Sequence, residues 1–270
     1  MSSDHTAVFT KENLNDYLKE LAKEYRKING KAMPAEIILV GGAAILAGYG
    51  FRDMTTDIDA VIHASSSMKD AINRVGDRFH LPNGWLNSDF LNTDSYTVKL
   101  NEYSVYYRTF SNVLTVRTVG AEYLIAMKLR SGRQYKNDLS DIVGILAEHE
   151  KRGEPITMEQ INTAAEKLYG SWDSIPDISK RFIEDTVKNG QYSKIYAETV
   201  ENERQSKDTL VHFADDYPGV MNEGNVNDIL KSLKEKKKES VLGKLKEYQT
   251  DIDKDSVTHK HEKKRNEPER

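Results

Sequence analysis

Apolar positions recur along the chain with two spacings, and the change between them divides it. From 10 to 30, Leu14, Tyr17, Leu18, Leu21 and Tyr25 lie three and four apart, one helical stripe, with Thr10 or Asn13 as its cap. From 31 to 119, short strands alternate with helices. The β-branched run 37–40 stops at Gly41-Gly42, and 43–47 reads as the first turns of a helix. Residues 68–79 have helical spacing, and 96–119 is rich in strand formers. Tyr103, Val105 and Tyr107, with Tyr106 offset, predict a strand whose rings pack rather than stack on bases. Past Gly120 the pattern is helical. Leu124, Ile125 and Leu129 share a face, and Thr157-x-x-Gln160 reads as a capping box for a helix that buries Ile161, Ala164, Ala165 and Leu168 and stops at Gly170. Helices are predicted over 179–188 and 192–213, before Asp215-Asp216-Tyr217-Pro218-Gly219 breaks the pattern. This is an α/β (α+β) half with a mixed sheet, then a mainly α-helical half.

Composition narrows the setting. The 270 residues are 38% hydrophobic and 30% charged, enough for one or two cored domains with a long polar remainder. Cysteine is absent, which excludes disulfides and Cys-ligated zinc and fits a reducing compartment. The first residues lack a basic segment followed by an apolar one, and no apolar run reaches membrane-spanning length. The expectation is a cytoplasmic protein with no membrane contact. A net charge of −4 gives no global attraction to nucleic acid, so any RNA contact needs a local patch. Lys234, Lys236, Lys237 and Lys238 form one on a predicted helix over 226–241, but interleaved acids favour a solvated face. Residues from about 250 read as disordered, and His259 and His261 there make no metal site.

The chemistry concentrates between Glu36 and His63. Glycine after a strand lets the backbone approach a ligand, and the free amides of the following helix start carry partial positive charge, so Gly41-Gly42 can cradle polyphosphate or be plain architecture. Asp57 and Asp59 are two apart at a second predicted strand, hence on one face. Two such carboxylates repel unless a cation lies between them, and hard oxygen ligands suit Mg²⁺ or Mn²⁺. The alternative is turn chemistry, with one aspartate capping and the other solvated.

Gly-Gly after a strand, followed by Arg-x-x-x-Thr-Asp-Ile-Asp opening the next, resembles the nucleotidyltransferase fold of the DNA polymerase β type. The likeness is closer to the bacterial branch holding the AbiEii toxins and the DUF6036 relatives. Leu81-Pro82-Asn83-Gly84-Trp85-Leu86-Asn87-Ser88-Asp89 is similar to a Trp-Leu-Asn-Asp segment of those relatives, and the stretch from Glu122 to Ile142 supports the same branch. The resemblance covers about residues 30–150. It implies a nucleotidyltransferase-like catalytic domain over 1–150, with a helical domain over 151–224 and a charged helix and tail over 225–270.

It also implies that Asp57 and Asp59 bind the metal, that Gly41 and Gly42 lie against the triphosphate of a nucleoside triphosphate, and that an acceptor hydroxyl attacks the α-phosphorus. Arg52 can add a bidentate phosphate contact or be a solvated turn arginine. The family's later lysine and acid match Lys128 and Asp138. Lys128 then meets a phosphate or the substrate, or snorkels to solvent. Asp138 is a catalytic candidate, with two alternatives: an N-cap with Asp141 in the first turn, or an ion-pair anchor for Arg130 or Arg133. The strand 113–119 lacks the third carboxylate of the polymerase-like pattern; Asp89 and Glu102 are the nearest acids. The expected function is transfer of a nucleotide to an RNA, such as tRNA, or to a protein hydroxyl, by a toxin with a cognate antitoxin. A catalytically degenerate binding module is the alternative.

Overall fold

The computed structural model describes residues 7–222 and 224–236. Contacts divide the chain between Glu203 and Arg204 into two compact units. In the first, α1 (Lys11–Asn29) starts at Thr10, whose hydroxyl and the Asn13 side chain form a reciprocal capping box. It buries Leu14, Leu18, Leu21 and Tyr25. β1 (Ala35–Leu39) runs into α2 (Gly41–Gly48); β2 (Ile58–His63), α3 (Ser67–Phe79) and the short β3 (Leu86–Asn87) follow. β4 (Ser104–Phe110) and β5 (Leu114–Val119) form a hairpin. Strand order is β3-β2-β1-β5-β4; β1 is antiparallel to β2 and parallel to β5. The sheet is therefore mixed.

The helical part comprises α4 (Ala121–Ser131), α5 (Asp138–Lys151), α6 (Met158–Tyr169), α7 (Asp177–Asn189) and α8 (Tyr192–Asp216). α6 opens with the capping box of Thr157 and Gln160 and buries Ile161, Ala164, Ala165 and Leu168 in the same core as the sheet. In the second unit, which begins inside α8, residues 226–236 are helical, and Leu210, Val226 and Leu230 are buried. Lys237, Lys238, Glu239 to Val241, the tail from 250, His259 and His261 lie outside the described residues. No helix among those described is long and apolar enough to cross a membrane.

Two local expectations are corrected. The run 96–119 is not strand throughout: 98–101 is a 3₁₀ turn, held by the Thr97 hydroxyl accepting from the Lys99 amide and the Ser104 hydroxyl donating to the Asn101 carbonyl. Asp57 also lies just before β2 rather than in it. The backbone at Thr55 bridges Phe9 in both directions, and β2 begins only at Ile58.

Candidate active site

The β1–α2 junction brings the glycines to the aspartates. Val40 donates its amide to the Asp59 carbonyl (3.0 Å), closing the β1–β2 ladder one residue beyond the paired Leu39 and Ala60. Gly41 then turns with φ +55°, a left-handed conformation that costs an L side chain strain. A Cβ there would lie 3.6 Å from Asp59 Oδ2, so the glycine backbone faces the carboxylate. Gly42 is tighter: a Cβ would meet Thr55 Oγ1 at 2.5 Å and Arg52 Nη2 at 3.0 Å. No side chain caps the start of α2.

Asp57 is exposed and accepts from the Thr55 hydroxyl at 3.3 Å. Asp59 is half-buried, and burial, then Asp57 and Asp89, push its carboxyl up to about 6 against the opposing pull of Arg133 and Lys136. Asp89 arrives through β3: Asn87 pairs with Asp59 and its side chain accepts the Asp89 amide at 2.9 Å. Among the described residues, no three His, Asp or Glu side chains gather closely enough to hold a metal by themselves. The donor set still fits a hard divalent cation, because two adjacent carboxylates lack a full local counter-charge and Mg²⁺ characteristically uses one or two carboxylates plus substrate phosphates.

Behind this surface lies a buried ion cluster. Lys128 Nζ is 2.7 Å from Asp141 Oδ2 and 3.1 Å from Asp138 Oδ1. Burial opposes its charge, but the two aspartates outweigh that and hold its pKa above the usual lysine value. Asp138 also accepts from Arg133 Nε at 2.8 Å; burial would raise it, yet Lys128 and Arg133 hold it well below the usual carboxylate range. Arg52 donates from Nη1 to Asp141 Oδ2 at 2.6 Å and from Nε to the Met54 carbonyl at 3.0 Å. It is therefore neither a solvated turn arginine nor free, and it rests against Gly42. Lys128 does not snorkel. The anchoring partner of Asp138 is Arg133, whereas Arg130 donates to the carbonyls of Ser174 and Asp94.

The capping reading of Asp138 gives way to a different arrangement. Asp138 is the first residue of α5, after Asn137, which makes no side-chain cap. The amides of Leu139 and Ser140 are taken by Glu203 Oε1 from α8, at 2.8 and 3.3 Å. Arg133 was expected only as one of two possible anchors of Asp138, Asp141 only as an acid in the first turn of α5, and Glu203 had no place in the predicted site. Asp138 and Asp141 stand three apart on one helical face, the one local signal that pointed to Asp141; nothing local pointed to Glu203. Glu102 does not join this group: it lies beyond β5, at the start of the β4 hairpin.

A mixed sheet with a strand–glycine–helix turn beside an aspartate pair, followed by a helical half, is the architecture of an α/β nucleotidyltransferase-like fold. The chain belongs to DUF6036, a family described as nucleotidyltransferase of unknown function, whose profile matches residues 16–153. Neither a curated protein nor a solved structure matches it.

Proposed function

We propose that this protein is a metal-dependent nucleotidyltransferase that moves a nucleoside monophosphate from a nucleoside triphosphate to a hydroxyl of an RNA, tRNA included, or of a protein. The observation that carries the reading is the 3.6 Å between a Cβ on Gly41 and Asp59 Oδ2, which sets the glycine turn against one carboxylate of the aspartate pair. Asp57 and Asp59 would hold Mg²⁺ or Mn²⁺, which when bound neutralises charge on the phosphate oxygens. The amides of Gly41 and Gly42 cradle the triphosphate. Arg133 and Lys136, on the α4–α5 connection, add positive charge toward Asp59. The acceptor oxygen bonds to the α-phosphorus, the bond from that phosphorus to the bridging oxygen breaks, and pyrophosphate leaves. Asp89 is the carboxylate we assign to receive the hydroxyl proton. Lys128 and Asp138 shape this surface, and Arg52 braces Gly42.

The family likeness to AbiEii toxins and the DNA polymerase β type extends the proposal to a toxin of a bacterial toxin–antitoxin or phage-defence pair, restrained in the cytoplasm by a cognate antitoxin. One observation favours a second reading, a degenerate binding module: Lys128 is engaged by two carboxylates rather than open to a phosphate.

The test is incubation with each α-labelled nucleoside triphosphate, Mg²⁺ or Mn²⁺ and bulk tRNA, beside the Asp57→Asn/Asp59→Asn variant. Label entering RNA or protein with the wild type alone supports transfer and names nucleotide and acceptor. Triphosphate binding without label favours the module.

A further inference from the structure

The start of α5 is capped from a distance. Asparagine caps helices well, but the Asn137 backbone, at φ −85° and ψ 26°, is not the extended one from which a side chain reaches forward, and it makes no cap. The amides of Leu139 and Ser140 go instead to Glu203 Oε1, 64 and 63 residues further along. Capping in this way buries a carboxyl whose Oε2 has no hydrogen-bond partner, and an unsatisfied buried polar atom is costly. A local Ser, Thr or Asp cap avoids that cost, so stability alone does not account for the arrangement.

The first turn of α5 carries the reason. Asp138 and Asp141 flank the two capped amides and anchor cations from three separate segments: Lys128 of α4 binds both, Arg133 of the α4–α5 connection binds Asp138, and Arg52 of the α2–β2 connection binds Asp141. Arg52 in turn stands behind Gly42, where a Cβ would meet its Nη2 at 3.0 Å.

α8 reaches the same connection at a second point. Tyr196 donates its hydroxyl to the Phe51 carbonyl at 3.3 Å and sets its ring edge-on to that of Phe51, with centroids 5.8 Å apart. Tyr196, Thr199 and Glu203 are three and four apart, one stripe of α8, and Thr199 and Glu203 are buried. One face of this helix therefore holds both the residue before Arg52 and the helical turn that binds Arg52.

We propose that Glu203 is a positioning residue: by fixing the first turn of α5 it holds Asp141 and Arg52 where they form the wall at Gly42. Its service to a bound triphosphate rests on the transferase reading; its hold on the wall does not. Glu203 lies outside the family-matched residues 16–153, so the glycine turn of this chain is braced by a helix that the matched segment does not contain.

The experiment is hydrogen exchange read by mass spectrometry on the full chain, without metal or ligand, in wild type, Glu203→Ala, Glu203→Gln, Tyr196→Phe and, as a control that loses a different cap, Thr157→Ala. Circular dichroism checks that each folds. The bonded amides of Ala44, Gly50 and Thr55 report on the wall and its connection. Glu203→Ala speeds exchange about fivefold or more in 139–142 and also in 41–44 and 50–56, while α1 and α3 exchange as in wild type. Glu203→Gln keeps an acceptor oxygen for both amides and stays closer to wild type than alanine does. Tyr196→Phe speeds 50–53 alone, and Thr157→Ala leaves 41–56 unchanged. If Glu203→Ala does not fold, Glu203→Asp, which draws the carboxylate back by one methylene, takes its place.

Titration with a nucleoside triphosphate and Mg²⁺ follows on the same proteins. Glu203→Ala weakens binding about fivefold or more, and Glu203→Gln restores most of it. Faster exchange confined to α5 marks Glu203 as a cap alone and overturns the proposal, as does faster exchange spread equally over α1 and α3. Unchanged triphosphate affinity in folded Glu203→Ala overturns it too. A wild type that binds no triphosphate, with exchange responding as stated, sinks the transferase reading and leaves this one intact.

Discussion

Replacing Glu203 by glutamine should flatten the pH dependence of stability. The wild-type carboxylate is buried, 4% exposed, with Oε1 on the first amides of α5 and Oε2 buried without a hydrogen-bond partner. Burial raises its pKa from 4.5 to about 7; the Ser140 and Leu139 contacts offset part of this, and Asp141 adds to the rise. Because the folded value lies above the unfolded one, the stabilising contribution is complete below pH 4.5 and is lost as pH rises through about 7. Between pH 5.5 and the folded value near 7 there is about 1.5 pH unit, which at 1.36 kcal/mol each amounts to about 2 kcal/mol. Wild type should therefore lose about 2 kcal/mol relative to Glu203→Gln between pH 5.5 and 8.5.

The glutamine amide has its own cost, since it places N–H groups where Oε2 lacks a partner, about 1–3 kcal/mol. That cost is the same at every pH and cancels from the difference in slope. Urea denaturation followed by tryptophan fluorescence is the assay. Both tryptophans, Trp85 and Trp172, lie in the first unit, so the signal reports the part of the chain that holds Glu203. Stability profiles of the two proteins running parallel across this range would refute the reasoning.

Lys128→Met leaves Asp138 and Asp141 short of their shared cation in a buried setting and should cost about 3–5 kcal/mol, read from the same denaturation curves. Gly42→Ala forces a methyl to within 2.5 Å of Thr55 Oγ1; a loss of about 1–3 kcal/mol and a lower melting temperature are expected. Millimolar Mg²⁺ or Mn²⁺ with a non-hydrolysable triphosphate should raise the wild-type melting temperature, and chelator should reverse it. Asp57→Asn/Asp59→Asn should melt at or above the metal-free wild type and show no metal response, since the variant removes a repulsive pair rather than a packing contact.

Much of the fold was legible because its signals are local. The β1–Gly-Gly–α2 turn, the Thr10 cap, the Thr157–Gln160 capping box and the stripes of α1 and α6 are decided by residues within a few positions of one another. The likeness to DUF6036 rested on such local motifs taken in order, and the family match agrees with it. The site's interior was less legible because its partners are distant: Arg52 reaches Asp141 across 89 positions, and Glu203 reaches Leu139 across 64. Lys128 read as a lysine needing either solvent or an anion. Its anions were ten and thirteen residues ahead, and only the α4–α5 fold-back brings both within 3.1 Å. The β-rich look of 96–103 failed for a different reason, since local side-chain bonds at Thr97 and Ser104, two and three residues from their partners, override strand propensity and decide its turn.

The segment between the glycines and the aspartates gains its rigidity from α5. Gly50 donates its amide to Glu148 Oε1 at 2.7 Å, the Phe51 ring fills the space a Cβ on Gly144 would need, and Arg52 binds Asp141 at 2.6 Å. Asp141, Gly144 and Glu148 are three and four apart, one stripe of the helix, so three consecutive loop residues are fastened along a single face. Tyr196 of α8 adds a hydrogen bond to the Phe51 carbonyl at 3.3 Å, from the helix whose Glu203 caps α5. Beyond Arg52 the chain returns through Thr55, pinned to Phe9, into Asp57 and Asp59. The start of α5 is thereby joined through Asp141 and Arg52 to the surface at Gly42. An unbroken run of contacts thus joins Glu203, on a helix outside the family-matched segment, to the glycine turn within it.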